Sequence, residues 1–311
     1  MRMARLTVGV ALAAMFLAPL AALADQPGAT QTEMTLDKIK RTGAITLGVR
    51  ESSYPLSYAL EGGRFVGYHV DVCNRVVEAV KAKLALPRLE VRHVAVTSAN
   101  RIASTLAGTI DLECGSTTNN TERQAQVAFA PTTFVSAVRV AVKKDSGVKN
   151  LWQLRGASVA TTKGSTSIQL LGARQPVGGT PMRELFGEDH LQSFALLESG
   201  QAQAFVMDDN LLAGLIAMSA DPQGYELVGP SMSIEPIAIM LRKNDPAFKA
   251  VVDGTVEALM KSGDLEKLYV QWLQSPIPPK GVNLNLPMTG LLRQQILYPS
   301  DDPAESFRTP E

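Results

Sequence analysis

Two polar segments of the sequence combine side chains that suit an anion. One is ECGSTTNNTER at 113–123, and the other is TKGSTS at 162–167. Each follows an apolar strand pattern and precedes a helical pattern, so backbone amides at a helix start would add further donors. A carboxylate or a phosphate fits such a segment, although the spacing of a P-loop is absent. The candidate ligands in the two segments are Ser116, Thr118, Arg123, Thr162 and Ser165.

The first segment also contains a helix-start pattern. Asn119 and Glu122 have the spacing of an N-cap residue and its reciprocal acidic partner, which predicts a helix beginning at Asn119. An ordinary polar turn between a strand and a helix explains either segment as well as a ligand site does.

Other candidate ligands stand beyond the ends of strand patterns. Arg50 ends the first strand pattern, and Ser98 and Arg101 follow the second, where a parallel sheet opens its ligand-facing edge. Asp208 follows a later strand pattern, and His190 lies in the sequence EDH. Taken singly, such residues are more often structural or solvated. The chain has no paired-histidine spacing, dinucleotide glycine motif or Ser-His-Asp arrangement, so no metal or cofactor is expected.

The composition indicates a globular protein without a polyanionic partner. The 311 residues include 45% hydrophobic residues, enough for a substantial core in one large or two moderate domains. The 30 basic and 30 acidic residues balance, and no basic run is present. This neutrality argues against a nucleic-acid partner and against a polybasic membrane-surface protein.

The amino-terminal segment has the features of a secretory signal peptide. Arg2 and Arg5 precede an almost wholly apolar stretch at 6–23, and Ala-Leu-Ala at 22–24 predicts cleavage after Ala24. An uncleaved membrane anchor is the alternative, because the apolar stretch is nearly long enough to span a bilayer. We expect an exported protein in the periplasm.

Export bears on the two cysteines, Cys73 and Cys114. Two cysteines are too few for a disulfide-rich framework or a cysteine-rich zinc site. An oxidising compartment allows the pair to close, so we predict a Cys73–Cys114 disulfide. Two buried thiols that act as small core residues are the alternative.

Strand and helix patterns alternate along the chain, which predicts parallel, helix-covered sheets in two α/β units. The tail from Pro276 onward has weak periodicity and is expected to be an extended wrap. The predicted strands are 44–49, 89–96, 110–114, 137–142, 158–161, 204–207 and 237–241. The predicted helices are 36–40, 70–84, 101–106, 166–173, 248–261 and 265–273.

Several of these segments, taken in order, resemble the periplasmic glutamate/aspartate-binding proteins of bacterial ABC transporters, within solute-binding protein family 3. The matching segments are GVRESSYPLSY, TSANRI, DLECGSTTNNTERQ, KGSTS, EDHLQSFALLESG, VMDDNLLAG and SPIPPKGVNLN. The resemblance covers roughly 35–286. ECGSTTNN followed by ERQ is the most specific element, because the general α/β pattern is shared by many solute-binding proteins.

The resemblance implies an α/β, two-lobed periplasmic-binding-protein-like (type II) fold with two crossover hinge strands and a ligand cleft between the lobes. The crossovers are expected near 134–138 and 229–236, so that the second lobe is inserted within the first. The expected divisions are a signal peptide at 1–24, an extension at 25–34, the first lobe at 35–135 and 233–276, the second lobe at 136–232, and a carboxyl-terminal wrap at 277–311.

The resemblance also assigns roles to the candidate ligands. Arg123, with Ser116 and Thr118, is expected to bind an α-carboxylate, and Asp208 an ammonium group. The side-chain carboxylate is left to Arg50 and Arg101 with the helpers Ser98, Thr162, Ser165 and His190, although the arginines could exchange roles. Relatives commonly have threonine in place of Ser165. They have a tyrosine-glycine-cysteine stretch near the hinge, where this chain has Pro236-Ile237-Ala238-Ile239.

The implied function is that of a monomeric binding protein, not an enzyme, which captures L-glutamate or L-aspartate and delivers it to a membrane permease. Two alternatives remain open. One is a cyclohexadienyl dehydratase-like enzyme on the same scaffold, with Glu51 or His190 as general acid, and the other is a ligand-presenting sensor partner. The sequence does not rank glutamate against aspartate, glutamine or asparagine, since one methylene decides only about 1–3 kcal/mol.

Overall fold

The computed structural model describes residues 33–175 and 179–307. The predicted signal peptide and its cleavage site lie outside the described residues. Within the described part, no helix combines the length and the apolar character needed to cross a membrane.

The chain alternates short strands and helices from Thr35 onward. The helices are α1 (Thr35–Thr42), α2 (Tyr68–Leu84), α3 (Arg101–Leu106), α4 (Thr121–Gln124), α5 (Thr166–Ala173), α6 (His190–Glu198), α7 (Asp209–Met218), α8 (Pro246–Ser262), α9 (Asp264–Leu273) and α10 (Gly290–Leu297). The strands are β1 (Ala44–Val49), β2 (Ser52–Ser53), β3 (Ser57–Leu60), β4 (Arg64–Val66), β5 (Glu90–Ala95), β6 (Leu112–Glu113), β7 (Val127–Phe129), β8 (Phe134–Ser136), β9 (Val138–Lys143), β10 (Ser158–Thr162), β11 (Arg183–Gly187), β12 (Ala204–Asp208), β13 (Tyr225–Val228), β14 (Glu235–Ile237), β15 (Met240–Arg242), β16 (Pro276–Ile277) and β17 (Val282–Asn283).

The first of two five-stranded sheets has the order β5-β1-β6-β15-β7. β1 is parallel to β5 and β6, whereas β15 is antiparallel to β6 and β7. Ile45, Leu47 and Val49 alternate along β1 and are buried in one core together with the apolar faces of α2, α8 and α9. We call this sheet and its helices the first lobe.

The second sheet has the order β11-β10-β12-β9-β13, with β10 parallel to β11 and β12, and β9 antiparallel to β12 and β13. Successive residues of β12 enter two different cores, Val206 on one face and Phe205 and Met207 on the other. Because both faces are covered, the strand is apolar from Ala204 to Met207. We call this sheet and its helices the second lobe.

Two strands, β8 and β14, connect the lobes and form an antiparallel pair of their own. β8 leads from the first sheet into β9, and β14 leads from β13 back to β15. Two connections of this kind allow one lobe to move against the other with a small change in backbone angles.

Most predicted elements are present within a few residues, with informative exceptions. Each sheet is mixed, because one strand in each runs antiparallel to its neighbours: β15, by which the chain returns to the first sheet, and β9, by which it enters the second. The single strand predicted at 237–241 is two strands, β14 and β15, which belong to different sheets. The predicted extended tail contains a helix, α10, whose Leu292 is buried against the first lobe.

The predicted disulfide between Cys73 and Cys114 is confirmed, with a Cα–Cα distance of 6.1 Å. Cys73 lies on the buried face of α2, and Cys114 directly follows β6. The bridge therefore ties the long helix α2 of the first lobe to the start of the polar segment at 113–123.

Removal of this disulfide is expected to destabilise the protein. The bridge closes a loop with a sequence separation of 41, and the chain-entropy model assigns such a loop about 4 kcal/mol of unfolding free energy. Urea unfolding of Cys73→Ala/Cys114→Ala should show this loss, and dithiothreitol should reduce the stability of the wild type to a similar level. Equal midpoints for the wild type and the variant would contradict the expectation.

Candidate functional site

A small cavity lies between the two lobes. It brings together eight of the ten ligands predicted from the sequence, and it adds Thr166 and Met207, which were not predicted. Thr166 directly follows the predicted Ser165 in the second polar segment, which is the signal that would have identified it. The lining residues are Ser98, Arg101, Ser116, Thr118, Arg123, Ser165, Thr166, His190, Met207 and Asp208.

The strand ends explain this clustering. In the first lobe, the segments after β5 and β6 supply the arginines and hydroxyls of the cavity. In the second lobe, Ser165 precedes α5, His190 begins α6, and Asp208 ends β12. The carboxyl ends of parallel strands meet at one edge of a sheet, and here the two sheets present these edges to each other.

Arg50 and Thr162, the other two predicted ligands, lie directly behind the cavity lining. The Arg50 guanidinium donates through Nη2 to Ser98 Oγ at 2.7 Å and through Nη1 to Ser116 Oγ at 3.4 Å. Its Nη2 also lies 3.2 Å from His190 Nε2. Arg50 thus orders three side chains that line the cavity, one of them in the opposite lobe.

The arginine contact fixes the state of His190. Arginine can only donate, so His190 Nε2 must accept, and the proton is on Nδ1, 3.0 Å from Thr162 Oγ1. Burial, together with Arg50 and Arg101, holds the pKa of His190 well below its usual range. The imidazole is therefore neutral at pH 7 and donates to Thr162.

Arg101 and Arg123 line the cavity itself. The guanidinium Nη2 atoms of both point at the Gly164 carbonyl of the second lobe, at 3.5 Å from Arg101 and 3.3 Å from Arg123. Arg123 Nη1 also donates to the Thr118 carbonyl at 2.8 Å. Burial lowers the pKa of both groups, and for Arg101 the neighbouring Arg123 and Arg50 lower it further. An anion in the cavity would relieve this repulsion.

Asp208 supplies the negative charge of the cavity lining. Asp208 as a whole residue is 4% exposed, and within residues 33–175 and 179–307 no group donates a hydrogen bond to its carboxylate or forms an ion pair with it. Burial raises the pKa of Asp208 well above its usual value, and Glu235 and Asp209 raise it further, whereas Arg123 and Arg101 oppose the shift. A buried carboxylate of this kind requires a cationic partner.

Two further buried carboxylates stand close to the arginines and were not predicted. Within the described part of the chain, neither oxygen of Glu113 has a hydrogen-bond partner, and Glu113 raises the pKa of Arg50 through its charge. Glu235, on the connecting strand β14, accepts from Ser233 Oγ at 2.5 Å and from Thr166 Oγ1 at 3.1 Å. The sequence carried no signal for either residue, because Glu113 lies in a strand pattern, where a glutamate usually faces solvent, and Glu235 precedes the strand predicted at 237–241.

The segment that follows β6 differs from the prediction in one respect. The N-cap of α4 is Asn120, whose Oδ1 accepts from the Arg123 amide at 2.9 Å, and not Asn119. Asn119 is fully buried, and its amide donates to the Pro236 carbonyl of β14 at 2.8 Å. Extended backbone at 117–119 pairs with β14, since Thr118 forms a bridge to Ile237. This pairing keeps Asn119 out of the cap position.

The described part of the chain contains no group of three or more His, Cys, Asp or Glu side chains that could hold a metal ion. The cavity side chains are instead guanidinium groups, hydroxyls, one neutral imidazole, one carboxylate and the Met207 thioether. This set matches a small molecule that carries both anionic groups and one cationic group.

Comparisons with known proteins agree with this chemistry. The L-glutamate/L-aspartate-binding protein of Pseudomonas aeruginosa is 46% identical over 274 residues, which cover 88% of this chain and 91% of that protein. The glutamate/aspartate import solute-binding protein of Escherichia coli K12 is 44% identical over 267 residues, covering 86% of this chain and 88% of that protein.

Among solved structures, the cysteine-binding protein of Campylobacter jejuni is 25% identical with a TM-score of 0.68, and the match covers 78% of this chain and 94% of that one. The fold is thus the two-lobed type II fold of periplasmic amino-acid-binding proteins that was predicted. Residues 45–275 match the family model of these binding proteins. The chain belongs to the bacterial extracellular solute-binding proteins, family 3.

Proposed function

We propose that this protein captures L-glutamate or L-aspartate in the cavity between its lobes and delivers it to an ABC importer. The observation that carries the proposal is the charge arrangement of the cavity, in which an unpartnered Asp208 carboxylate shares the lining with Arg101 and Arg123. An acidic amino acid has two carboxylates and one ammonium group, which is the complementary set. The relatives at 44–46% identity are named as glutamate/aspartate-binding proteins, which supports the same ligands.

Each charged group of the ligand has a proposed partner. Arg123 takes the α-carboxylate together with Ser116 and Thr118, and Asp208 takes the ammonium group. Arg101 takes the side-chain carboxylate with Ser98, Ser165 and His190. Arg50 and Thr162 act on that carboxylate through Ser98 and His190, because they lie one layer behind the lining.

The two lobes are proposed to comprise 35–135 with 233–276, and 136–232. The two sheets and the paired strands β8 and β14 support this division. In the proposed cycle, closure of the lobes buries the ligand and forms the surface that the permease recognises. Export with cleavage after Ala24, a periplasmic location and a monomeric state belong to the same proposal.

Lobe closure depends on Gly164 in the second lobe, so Gly164→Ala is expected to weaken ligand binding. Gly164 has a φ of +75°, and a Cβ there would lie 2.5 Å from the Ser98 carbonyl oxygen and 2.7 Å from Ala99 Cα in the first lobe. Only separation of the lobes relieves this contact. We expect an affinity loss of about ten- to a hundredfold.

Small-angle scattering should show that Gly164→Ala with ligand keeps the larger radius of gyration of an open protein. Gly172→Ala on α5 is the matched control, because a Cβ there meets nothing within 4 Å. Wild-type affinity and a compact liganded state in Gly164→Ala would contradict the role of Gly164 in closure.

A dehydratase on the same scaffold is the less supported alternative. Glu51, one of the two candidate general acids, is exposed and does not line the cavity. His190, the other, is neutral and has both ring nitrogens in hydrogen bonds. The relatives at 44–46% identity are named as binding proteins rather than enzymes. A partner role beside a sensor would use the same cavity chemistry.

The proposed function is tested by thermal shift with all L-amino acids, after the protein has been unfolded, dialysed and refolded to remove bound ligand. The expected result is a large rise in melting temperature with L-glutamate and L-aspartate alone, with small or no effects of the neutral and basic amino acids. A panel in which a basic or apolar amino acid gives the largest rise would overturn the proposal.

A further inference from the structure

The carboxyl-terminal segment Ser300–Ser306, here called the strap, lies against the polar segment of the first lobe that follows β6. Its Ala304 amide donates to the Asn119 carbonyl at 2.8 Å, and its Glu305 Oε2 accepts from the Thr121 amide at 3.0 Å. At its start, the Ser300 carbonyl accepts from the Thr132 amide at 2.9 Å. These contacts join residues about 180 positions apart in the sequence.

Asn119 is the centre of this contact. Its side-chain amide donates to the strap carbonyls of Asp301 at 2.8 Å and Asp302 at 3.3 Å, and its Oδ1 accepts from Gln124 Nε2 at 2.8 Å. The same Gln124 nitrogen donates to the Asp301 carbonyl at 2.7 Å. The backbone and side-chain polar groups of this fully buried asparagine are thus all in hydrogen bonds, with partners in the strap, in α4 and in strand β14.

The neighbours of Asn119 are ligand-site residues. Thr118 precedes it and lines the cavity, and Asn120, the cap of α4, follows it and holds the Arg123 amide. The Arg123 guanidinium in turn donates a hydrogen bond to the Thr118 carbonyl. A shift of Asn119 would therefore move both Thr118 and Arg123 relative to the ligand.

We propose that the strap is a positioning element of the ligand site: by holding Asn119 and Thr121, it sets the place of Thr118 and Arg123. Within the described residues, no hydrogen bond joins the strap directly to a residue of the cavity lining, so the strap acts through Asn119 and α4. This inference rests on the proposed function, because its readout is affinity for L-glutamate or L-aspartate.

The test uses two variants, one of which keeps the full length of the chain. Truncation after Pro299 removes the strap but retains α10. Ala304→Pro removes only the amide that donates to Asn119. Proline fits there, because Ala304 begins a short 3₁₀ turn and the preceding Pro303 is extended, with a φ of −74° and a ψ of 161°.

Calorimetry should show an affinity loss of about ten- to a hundredfold for the truncation and a smaller loss for Ala304→Pro. In a protein that already carries Arg123→Ala, the truncation should lower the affinity little further. In a protein that carries Arg101→Ala, the truncation should lower the affinity as much as it does in the wild type. A strap that only stabilises the fold would give equal losses in both backgrounds, and that result would overturn the inference. Unchanged affinity in both strap variants would also overturn it, whereas failure of the wild type to bind would refute the proposed function instead.

Discussion

Asp208→Asn is expected to weaken L-glutamate binding by about a hundred- to a thousandfold. Asp208 is the carboxylate of the cavity lining, and its replacement leaves the ligand ammonium buried without a counter-charge, at a cost of about 3–5 kcal/mol before the asparagine oxygen partly compensates. Calorimetry on the refolded, ligand-free protein measures the change. The exposed Asp221→Asn is the matched control and should bind like the wild type.

The same carboxylate predicts proton release on binding. In the free protein, burial and the charges of Glu235 and Asp209 raise the pKa of Asp208, against the opposing Arg123 and Arg101. The ligand ammonium would lower this pKa. At a pH between the two values, binding must therefore expel a proton, and below the raised value affinity should fall by up to about tenfold per pH unit.

Titrations in buffers of different ionisation enthalpy, between about pH 4 and pH 8, measure this proton directly. Asp208→Asn should abolish the release. Binding by the wild type with no proton release at any pH in that range would contradict the assignment of Asp208 to the ammonium group.

Arg123→Ala is expected to cause a loss of similar size, about two to four decades in affinity. The guanidinium lines the cavity, is nearly buried, and already bridges the Thr118 and Gly164 carbonyls of the two lobes. Its removal takes away a bidentate carboxylate partner and leaves Glu235 with less positive charge nearby.

The variant Arg123→Lys distinguishes the contribution of the positive charge to affinity from that of the planar guanidinium. Lysine keeps the positive charge but lacks the planar fork, so it should recover only part of the lost affinity. The exposed Arg88→Ala is the control for a general effect of charge and should bind normally. Normal binding by Arg123→Ala would remove this residue from the site.

Local patterns were sufficient to predict the ligands that begin helices or end strands. α3 and α5 have the predicted bounds, so Arg101 and Ser165 could be placed at the sheet edges from periodicity alone. The resemblance to known binding proteins was needed to join the two edges into one site, because no local signal indicates that the edges of the two sheets meet at one cavity.

The features that the sequence did not predict depend on contacts between residues far apart in the chain. Asn119 has the spacing of an N-cap, but pairing of 117–119 with β14 and the contact with the strap hold it elsewhere, so that Asn120 takes the cap. α6 and α7 were not predicted from periodicity, since helices buried against a sheet are apolar on more than one face. Glu113 and Glu235 became site residues only through their burial beside the arginines.

Net neutrality of the whole chain excluded polyanionic partners but contained no information about this local arrangement. Arg50, Arg101 and Arg123 converge from three segments of the first lobe, and Asp208 faces the cavity from the second. The opposite charges cancel in the composition and remain separated in space. That separation is what suits an amino acid with two carboxylates.

Calorimetric titration of the ligand-free protein with L-glutamate, L-glutamine and glutarate tests the central claim most directly. Glutamine lacks the side-chain carboxylate and glutarate lacks the ammonium group, so each removes one of the proposed partners. The account predicts tight binding of L-glutamate and a loss of at least about a hundredfold for each analogue. Equal affinity for all three compounds would contradict it.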